Sequence, residues 1–345
     1  MNYLEWLSSQ TKTRWWHDSA IPQEIDQAMR NGALGVTTNP VLAYKALCAD
    51  PQYWEPYIGD IPSDLSGVPR AEALLEVVTK QAAKKFEAIY KETDGLHGYA
   101  LAQVNPEFAG DTDKMLEQGL KYASWADNIA VKLPTINAAL PVIEALASRG
   151  IAVCTTLNFS VSQAMAANSA YMAGKAKASK PAPCFVVQQG GRLDDYLADI
   201  VADNRLGIDI SDIHHAGNAI CKRTYGMIEQ SGSGAFIMPA GLRGVHHITE
   251  MSGARMVFSL QARVQQMILE ENPEQRERID EPVPADVIDR LMRIDEFRRA
   301  YEEDGIDKND FIKFGVTQRT LSQFLWTGWS PLETYGWTGV SKRWF

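Results

Sequence analysis

Cysteine, positive charge and long apolar runs are all scarce in this chain. Its 345 residues include 4 cysteines, namely Cys48, Cys154, Cys184 and Cys221. None of them forms a CxxC pair or stands at a metal-ligand spacing, so neither a disulfide framework nor a cysteine-built zinc site is indicated. Lysine and arginine together number 34 against 43 aspartates and glutamates, a net charge of −9. That balance argues against general binding to nucleic acid or a membrane surface, and any anionic substrate has to be met by a few local arginines or lysines. No apolar stretch approaches the roughly 20 residues needed to cross a bilayer. The opening MNYLEWLSSQTKTRWW has no basic segment followed by an apolar one, so a protein of the reducing cytoplasm is expected. Glycine-rich phosphate fingerprints, internal repeats and low-complexity blocks are missing as well, and a nucleotide cofactor is therefore unsupported.

What remains is ordinary globular material. Hydrophobic residues make up 45% and charged residues 22%, enough for a sizeable core. Eight short apolar or β-branched runs occur at Arg14–Asp18, Gly35–Asn39, Tyr99–Val104, Ile129–Leu133, Ile151–Thr156, Cys184–Val187, Ala235–Met238 and Arg255–Phe258. Helix-period stretches lie between them, among them Pro22–Asn31, Arg70–Tyr90, Asp111–Ser124, Ala138–Ser148, Ser160–Ala173, Ile210–Glu229 and Gly244–Met251. This alternation predicts an α/β fold with a parallel sheet, and eight repeats favour closure into a (β/α)8 TIM barrel over residues 1–271. Beyond Glu271 the texture becomes charged helix, over Asn272–Arg278 and Asp286–Asp304, and then a tryptophan-rich tail. A C-terminal helical extension, residues 272–345, is expected, with Trp326, Trp329, Tyr335, Trp337, Trp344 and Phe345 packed on the barrel or forming a subunit contact in a homo-oligomer.

One residue stands out: Lys132 ends an otherwise apolar run before Pro134. A buried ammonium is costly to desolvate, its pKa falls, and the resulting neutral amine can attack a carbonyl to form a Schiff base. In a parallel barrel the functional end is where strands finish. The runs end in His17-Asp18, Thr37-Thr38-Asn39, Gln103-Val104-Asn105, Lys132 and Thr155-Thr156, and the sixth and seventh lead into Arg192 and Arg243. Ser160 reads as a helix cap after the fifth run, and Asn39 before Pro40 as another. His17, His214, His215, His246 and His247 read as solvated or packing histidines rather than a metal site.

These segments resemble the transaldolase family. GVTTNPV at Gly35–Val41, VKLPT at Val131–Thr135, GIAVCTTLNFSVSQA at Gly150–Ala164, GRLDD at Gly191–Asp195 and AGLR at Ala240–Arg243 are similar to five family motifs and occur in family order over roughly residues 14–260. The resemblance implies a class I aldolase barrel, needing neither metal nor organic cofactor, that transfers a dihydroxyacetone unit from a sugar phosphate to an aldose. It further implies Lys132 as the Schiff-base residue, Asp18 as acid/base and Gln103 and Thr156 as proton-relay positions. Thr38, Asn39, Ser160 and Gln189 would surround the substrate, with Arg192 and Arg243 clamping its anionic end.

Several positions depart from the family pattern. Gln103 replaces a glutamate of transaldolases, although fructose 6-phosphate aldolases also carry glutamine there, so aldol cleavage is the alternative to transfer. Asn105, Cys154 and Gln189 also differ, and Gly241 replaces a serine that supports the phosphate. One lost hydroxyl contact to a charged group costs roughly 1.5–3 kcal/mol, about tenfold to a hundredfold in affinity, which leaves open whether the anionic group is phosphate, another anion or absent. A catalytically inactive interaction protein is the remaining reading.

Overall fold

The computed structural model describes residues 1–336. Its strands are β1 (Arg14–His17), β2 (Ala100–Gln103), β3 (Ile129–Pro134), β4 (Val153–Asn158), β5 (Cys184–Gln188), β6 (Phe236–Pro239) and β7 (Val257–Leu260). The helices are α1 (Tyr3–Gln10), α2 (Pro22–Arg30), α3 (Pro40–Ala49), α4 (Pro51–Ile58), α5 (Val68–Glu92), α6 (Thr112–Ala123), α7 (Leu140–Ser148), α8 (Val161–Lys175), α9 (Gly190–Asn204), α10 (Ile210–Ile213), α11 (Ala216–Ser231), α12 (His246–Thr249) and α13 (Ala262–Glu271). After them come α14 (Ala285–Leu291), α15 (Asp295–Tyr301), α16 (Gly315–Phe324) and α17 (Ser330–Leu332).

All strand pairing is parallel, in one ladder of order β2-β3-β4-β5-β6 and another of β1 with β7. Isolated parallel bridges join the two: Val36 contacts His17 on one side and Ala100 on the other, and Ile237 contacts Met256. Ladders and bridges together run once around a ring of eight segments, the α/β barrel architecture expected. The second segment differs from expectation. In place of a strand over Gly35–Asn39 there is a single bridging residue, Val36. A Cβ on Gly35 would lie 2.6 Å from the Trp16 indole, so the chain has to be bare where that ring fills the barrel. Asn39 then accepts the Leu42 amide at 3.0 Å and starts α3. The backbone is nonetheless paired on both sides, through Leu34 N–H to Trp15 O at 2.9 Å and Val36 N–H to Tyr99 O at 2.9 Å.

Strand periodicity divides the core in two. Trp16, Leu101, Ala130, Cys154, Phe185, Val187, Phe236, Met238 and Val257 pack together inside the ring. Their chain neighbours Trp15, Ala102, Val131, Val153, Val186, Ile237 and Phe258 face outward and pack against the helices. Alternate residues pointing to opposite faces produce this division. Side-chain caps hold the helix starts: Asp111 accepts from Lys114 N and Ser160 from Gln163 N.

Two helix expectations are corrected. The stretch Ile210–Glu229 is broken at His214–His215, because Asp194 reaches in to accept the Gly217 amide at 2.8 Å and sets the start of α11. Residues Asn272–Arg278 are irregular: Asn272 sits at φ 38, closing α13, and Pro273 follows it. Of the aromatic tail, Trp329 is fully buried, Trp326 is 68% exposed, and Tyr335 donates its hydroxyl to Leu47 O at 2.9 Å. Trp337, Trp344 and Phe345 lie outside the described residues. Helix α16 packs against β4 and α9, at the end of the ring where the strands finish.

Candidate active site

Carried one step beyond the apolar interior, the same alternation turns Asp18, Thr37, Gln103, Lys132, Thr156, Gln189 and Ser259 toward one mouth. Across the ladders Gln103 is in register with Lys132, and Lys132 with Cys154. Inside the mouth Thr37 and Ser259 share a hydrogen bond at 2.7 Å, and Gln189 Nε2 donates to Thr156 Oγ1 at 3.1 Å. Gln103 Oε1 and Gln189 Oε1 are buried with no hydrogen-bond partner, two acceptors that a ligand hydroxyl or water would satisfy.

Lys132 is 3% exposed. Burial lowers its pKa, and Arg192 pushes the same way, while Cys154 and Asp18 pull it back up. Burial also holds the Cys154 thiol up at about 12, so near neutral pH the thiol is uncharged and Asp18 is the opposing charge that remains. Burial raises the Asp18 carboxyl in turn, against the pull of Lys132, His17 and Arg192 and a hydrogen bond from Gln261. Each of the two groups is thus shifted toward its neutral form by desolvation and back toward its charged form by the other. Shifts of that kind, shared by an amine and a carboxyl in one cleft, make the pair a candidate for proton transfer.

The remaining expected residues divide. Asn39 caps α3 through Oδ1 while its Nδ2 makes no hydrogen bond among the described residues. Thr38 is turned away from the mouth, its hydroxyl given to the Leu101 carbonyl; of the threonine pair it is Thr37 that faces inward. Ser160 is fully buried in its cap, bonded to Gln163 and 3.0 Å from Ser162 Oγ. Neither Thr38 nor Ser160 offers a free hydroxyl.

Arg192, in the first turn of α9, and Arg243, in the loop after β6, line one polar cavity of about 360 Å³ together with Asp195, Arg319, Thr320 and Gln323. Arg243 holds Asp195 with two nitrogens, at 2.9 and 2.7 Å. Arg192 bonds the neutral Gln323 side chain and lies 5.7 Å over the Phe324 ring, with no carboxylate partner among the described residues. Gly241, between them, sits at φ +63, and a Cβ there would come 3.3 Å from Arg192 Cγ; the hydroxyl that a serine would supply is replaced by room for the guanidinium.

Among the described residues, Asp194, His246 and His247 bring possible metal ligand atoms within 4.8 Å of one another. Their bonding is already structural: His247 Nε2 meets Asp194 Oδ2 at 2.8 Å, and His247 Nδ1 accepts the Arg243 amide at 3.4 Å. His17 is likewise packed, 2.8 Å from Gln265.

Sequence reasoning listed Thr37 beside Thr38 at the end of the second run but gave the site role to Thr38, and it missed Ser259, Gln261 and Arg319. Thr37 lies on the face opposite Thr38. Ser259 and Gln261 follow a run taken to end at Phe258, and Arg319 comes from a helix far along the chain whose placement periodicity does not encode.

In sequence the chain is similar to known transaldolases. The chain is 34% identical over 151 residues to a transaldolase of Mycolicibacterium paratuberculosis, covering 42% of this chain and 39% of that one. It is 30% identical over 188 residues to a transaldolase of Neisseria meningitidis serogroup C, covering 51% and 54%, and 31% identical over 154 residues to one from Trichodesmium erythraeum, covering 44% and 40%. Each alignment spans about half or less of the relative's length. The family model described as Transaldolase/Fructose-6-phosphate aldolase reaches much further, matching residues 15–314. On that match, which takes in every strand but the first residue of β1, the chain belongs to the transaldolase/fructose-6-phosphate aldolase family.

Proposed function

We propose that this protein transfers a dihydroxyacetone unit from a ketose phosphate to an aldose acceptor through a Schiff base on Lys132. The observation that carries this reading is a lysine buried at a strand end with its pKa lowered, sharing the mouth with one aspartate. The neutral Nζ lone pair adds to the ketose C2 carbonyl, and loss of water gives an iminium that accepts electrons. Asp18 takes the proton from the C4 hydroxyl, the C3–C4 bond breaks, and its electron pair moves into an enamine on Lys132 as the aldehyde departs. The enamine then attacks the acceptor aldehyde, Asp18 returns the proton, and water releases the new ketose. Asn39 Nδ2 and the unpartnered oxygens of Gln103 and Gln189 suit the substrate hydroxyls, Thr156 suits a relay through water, and the arginine cavity suits the anionic end. The chemistry needs no metal and no organic cofactor, and a cytoplasmic setting with free sugar phosphates fits it.

Gln103 favours a second reading. Standing opposite Lys132 without a titrating group, it suits an enzyme in which water releases the dihydroxyacetone before an acceptor arrives, which is aldol cleavage. Borohydride reduction in the presence of fructose 6-phosphate tests both: a mass increment on Lys132 is expected, and an unmodified lysine rules out either enzyme in favour of an inactive interaction protein. Turnover that depends strictly on an added acceptor separates transfer from cleavage.

A further inference from the structure

Three histidines that the proposed reaction leaves unused, His214, His246 and His247, gather beside Asp194 of α9. The rings of His214 and His246 stack with centroids 5.5 Å apart, and those of His246 and His247 lie 4.1 Å apart. Asp194, His246 and His247 each bring one ligand atom within 4.8 Å of the other two. A second cavity, of about 180 Å³, opens onto this cluster, and its polar lining is Asp194, Asp195, His214, Arg243, His246 and His247.

Charge and donor chemistry on this lining favour a cation. Asp195 already matches Arg243, which holds it with two nitrogens, so Asp194 is left as a negative charge in excess. Burial pushes the His246 pKa down to about 3, helped by His247, His214 and His215. The ring is therefore neutral near pH 7, and no proton competes with a metal for its lone pair. His246 Nε2 is buried with no hydrogen-bond partner among the described residues. The link from His247 Nε2 to Asp194 Oδ2, at 2.8 Å, is of the kind that an ion replaces. Bonds of about 2.0–2.1 Å to a four-coordinate zinc place two ligand atoms roughly 3.3 Å apart, so this pair has only to part by about half an ångström. The other oxygen of Asp194 accepts the Gly217 amide at 2.8 Å, which orients the carboxylate as outer hydrogen bonds orient metal ligands.

We propose that Asp194, His246 and His247 form a binding site for a divalent transition-metal ion of the zinc class, with water from the cavity in the fourth position. Two imidazole nitrogens and one carboxylate oxygen suit zinc or cobalt, whereas magnesium and calcium take oxygen ligands. Occupation has a consequence for the neighbouring loop. His247 Nδ1 accepts the Arg243 amide at 3.4 Å, so the ring proton sits on Nε2 and is shared with Asp194. When Nε2 takes the ion, that proton moves to Nδ1, where it faces the amide hydrogen and breaks the bond. A bound ion thus releases the backbone of the loop that carries Arg243. The site stands independently of the Schiff-base reading.

Zinc, cobalt and magnesium chlorides are titrated into the full chain in a buffer that does not chelate them. One zinc per chain is expected, bound more tightly than magnesium. His246→Ala should weaken it by about tenfold or more, since even the outer partners of metal ligands are worth about 10–100-fold. His215 faces Glu250 instead, with Nδ1 3.4 Å from Oε1, so His215→Ala should leave zinc affinity unchanged. Cobalt reports on the wild type itself and keeps the test intact should His246→Ala fail to fold: the strong visible absorption of a four-coordinate ion is expected, and added zinc should abolish it. Hydrogen exchange at the Arg243 amide should quicken when zinc is present. Magnesium bound as tightly as zinc, zinc affinity unchanged in a folded His246→Ala protein, an equal loss in His215→Ala, or only the pale bands of six-coordinate cobalt overturns the proposal. Absence of borohydride labelling at Lys132 would count against the Schiff-base reading alone and leave these titrations standing.

Discussion

Gln103 stands opposite Lys132 across the β2–β3 ladder with its side-chain oxygen buried and unpartnered. A carboxylate in that position would face the amine directly, favour its charged form and titrate with it. Gln103→Glu is therefore expected to raise the Lys132 pKa and to add an ionisation to the pH dependence of kcat, with the balance moving toward transfer. Rates measured across pH with and without an acceptor aldehyde check this; profiles superimposable on the wild type would mean that position 103 takes no part in proton transfer.

Lys132→Met removes the nucleophile while keeping an unbranched chain of similar volume. Borohydride labelling and turnover should vanish. Stability changes as well, with a sign fixed by the lowered pKa. The folded protein binds fewer protons than the unfolded chain between the folded-state value and the ordinary lysine value of about 10.4. Wild-type stability therefore rises with pH through that window and falls on the acid side, where the amine must charge while buried. The methionine variant should lose this slope, which denaturant titrations at several pH values would detect.

Asp18→Asn separates binding from bond cleavage. Schiff-base trapping should persist, because Lys132 is still present, whereas kcat should fall by about 10²–10⁴, the usual worth of a positioned acid/base. Since burial raises the Asp18 pKa, the acid limb of the wild-type kcat/KM profile should lie above the ordinary aspartate value of about 3.9 and disappear in the variant. An unchanged acid limb would assign it to another group.

Two tryptophans three residues apart should behave oppositely. Trp329 is fully buried and Trp326 is 68% exposed. Trp329→Ala should cost about 3–5 kcal/mol, the range for emptying a large aromatic site, whereas Trp326→Ala should fall within about 0.5 kcal/mol of the wild type. Equal losses in chemical denaturation would mean that the second ring is covered in solution, as in a subunit contact.

Most of the barrel is legible in the sequence because β-branched and apolar runs of four to six residues carry their own period. The misreadings share a physical origin in contacts remote along the chain. Val36 loses its strand neighbours to the ring of Trp16, and the helix predicted over Ile210–Glu229 is cut by a carboxylate from Asp194, 23 residues away. The face on which Thr37 and Thr38 point was ambiguous until register was fixed, since a slip of one residue exchanges them. The helix α9 that carries Arg192 begins on two glycines without a capping side chain, and so gives no start signal. Motifs drew attention to Lys132 and both barrel arginines, and the end of the first run to Asp18, but Arg192 meets Gln323 across 131 residues, a meeting that only the folded chain reveals.

The closure of the ring bears on how the molecule is made. Among the described residues β1 finds its ladder partner only in β7, and Thr13 bonds to Ala254 across 241 residues. Joining ends so distant costs on the order of 5 kcal/mol in chain entropy, and no contact in the first strand's ladder can repay it until the last strand has left the ribosome. The nascent protein thus carries two open sheet edges through nearly all of its synthesis, edges that invite pairing with other chains. Slow refolding compared with domains of local topology is expected from the same geometry that gathers the strand ends at one mouth.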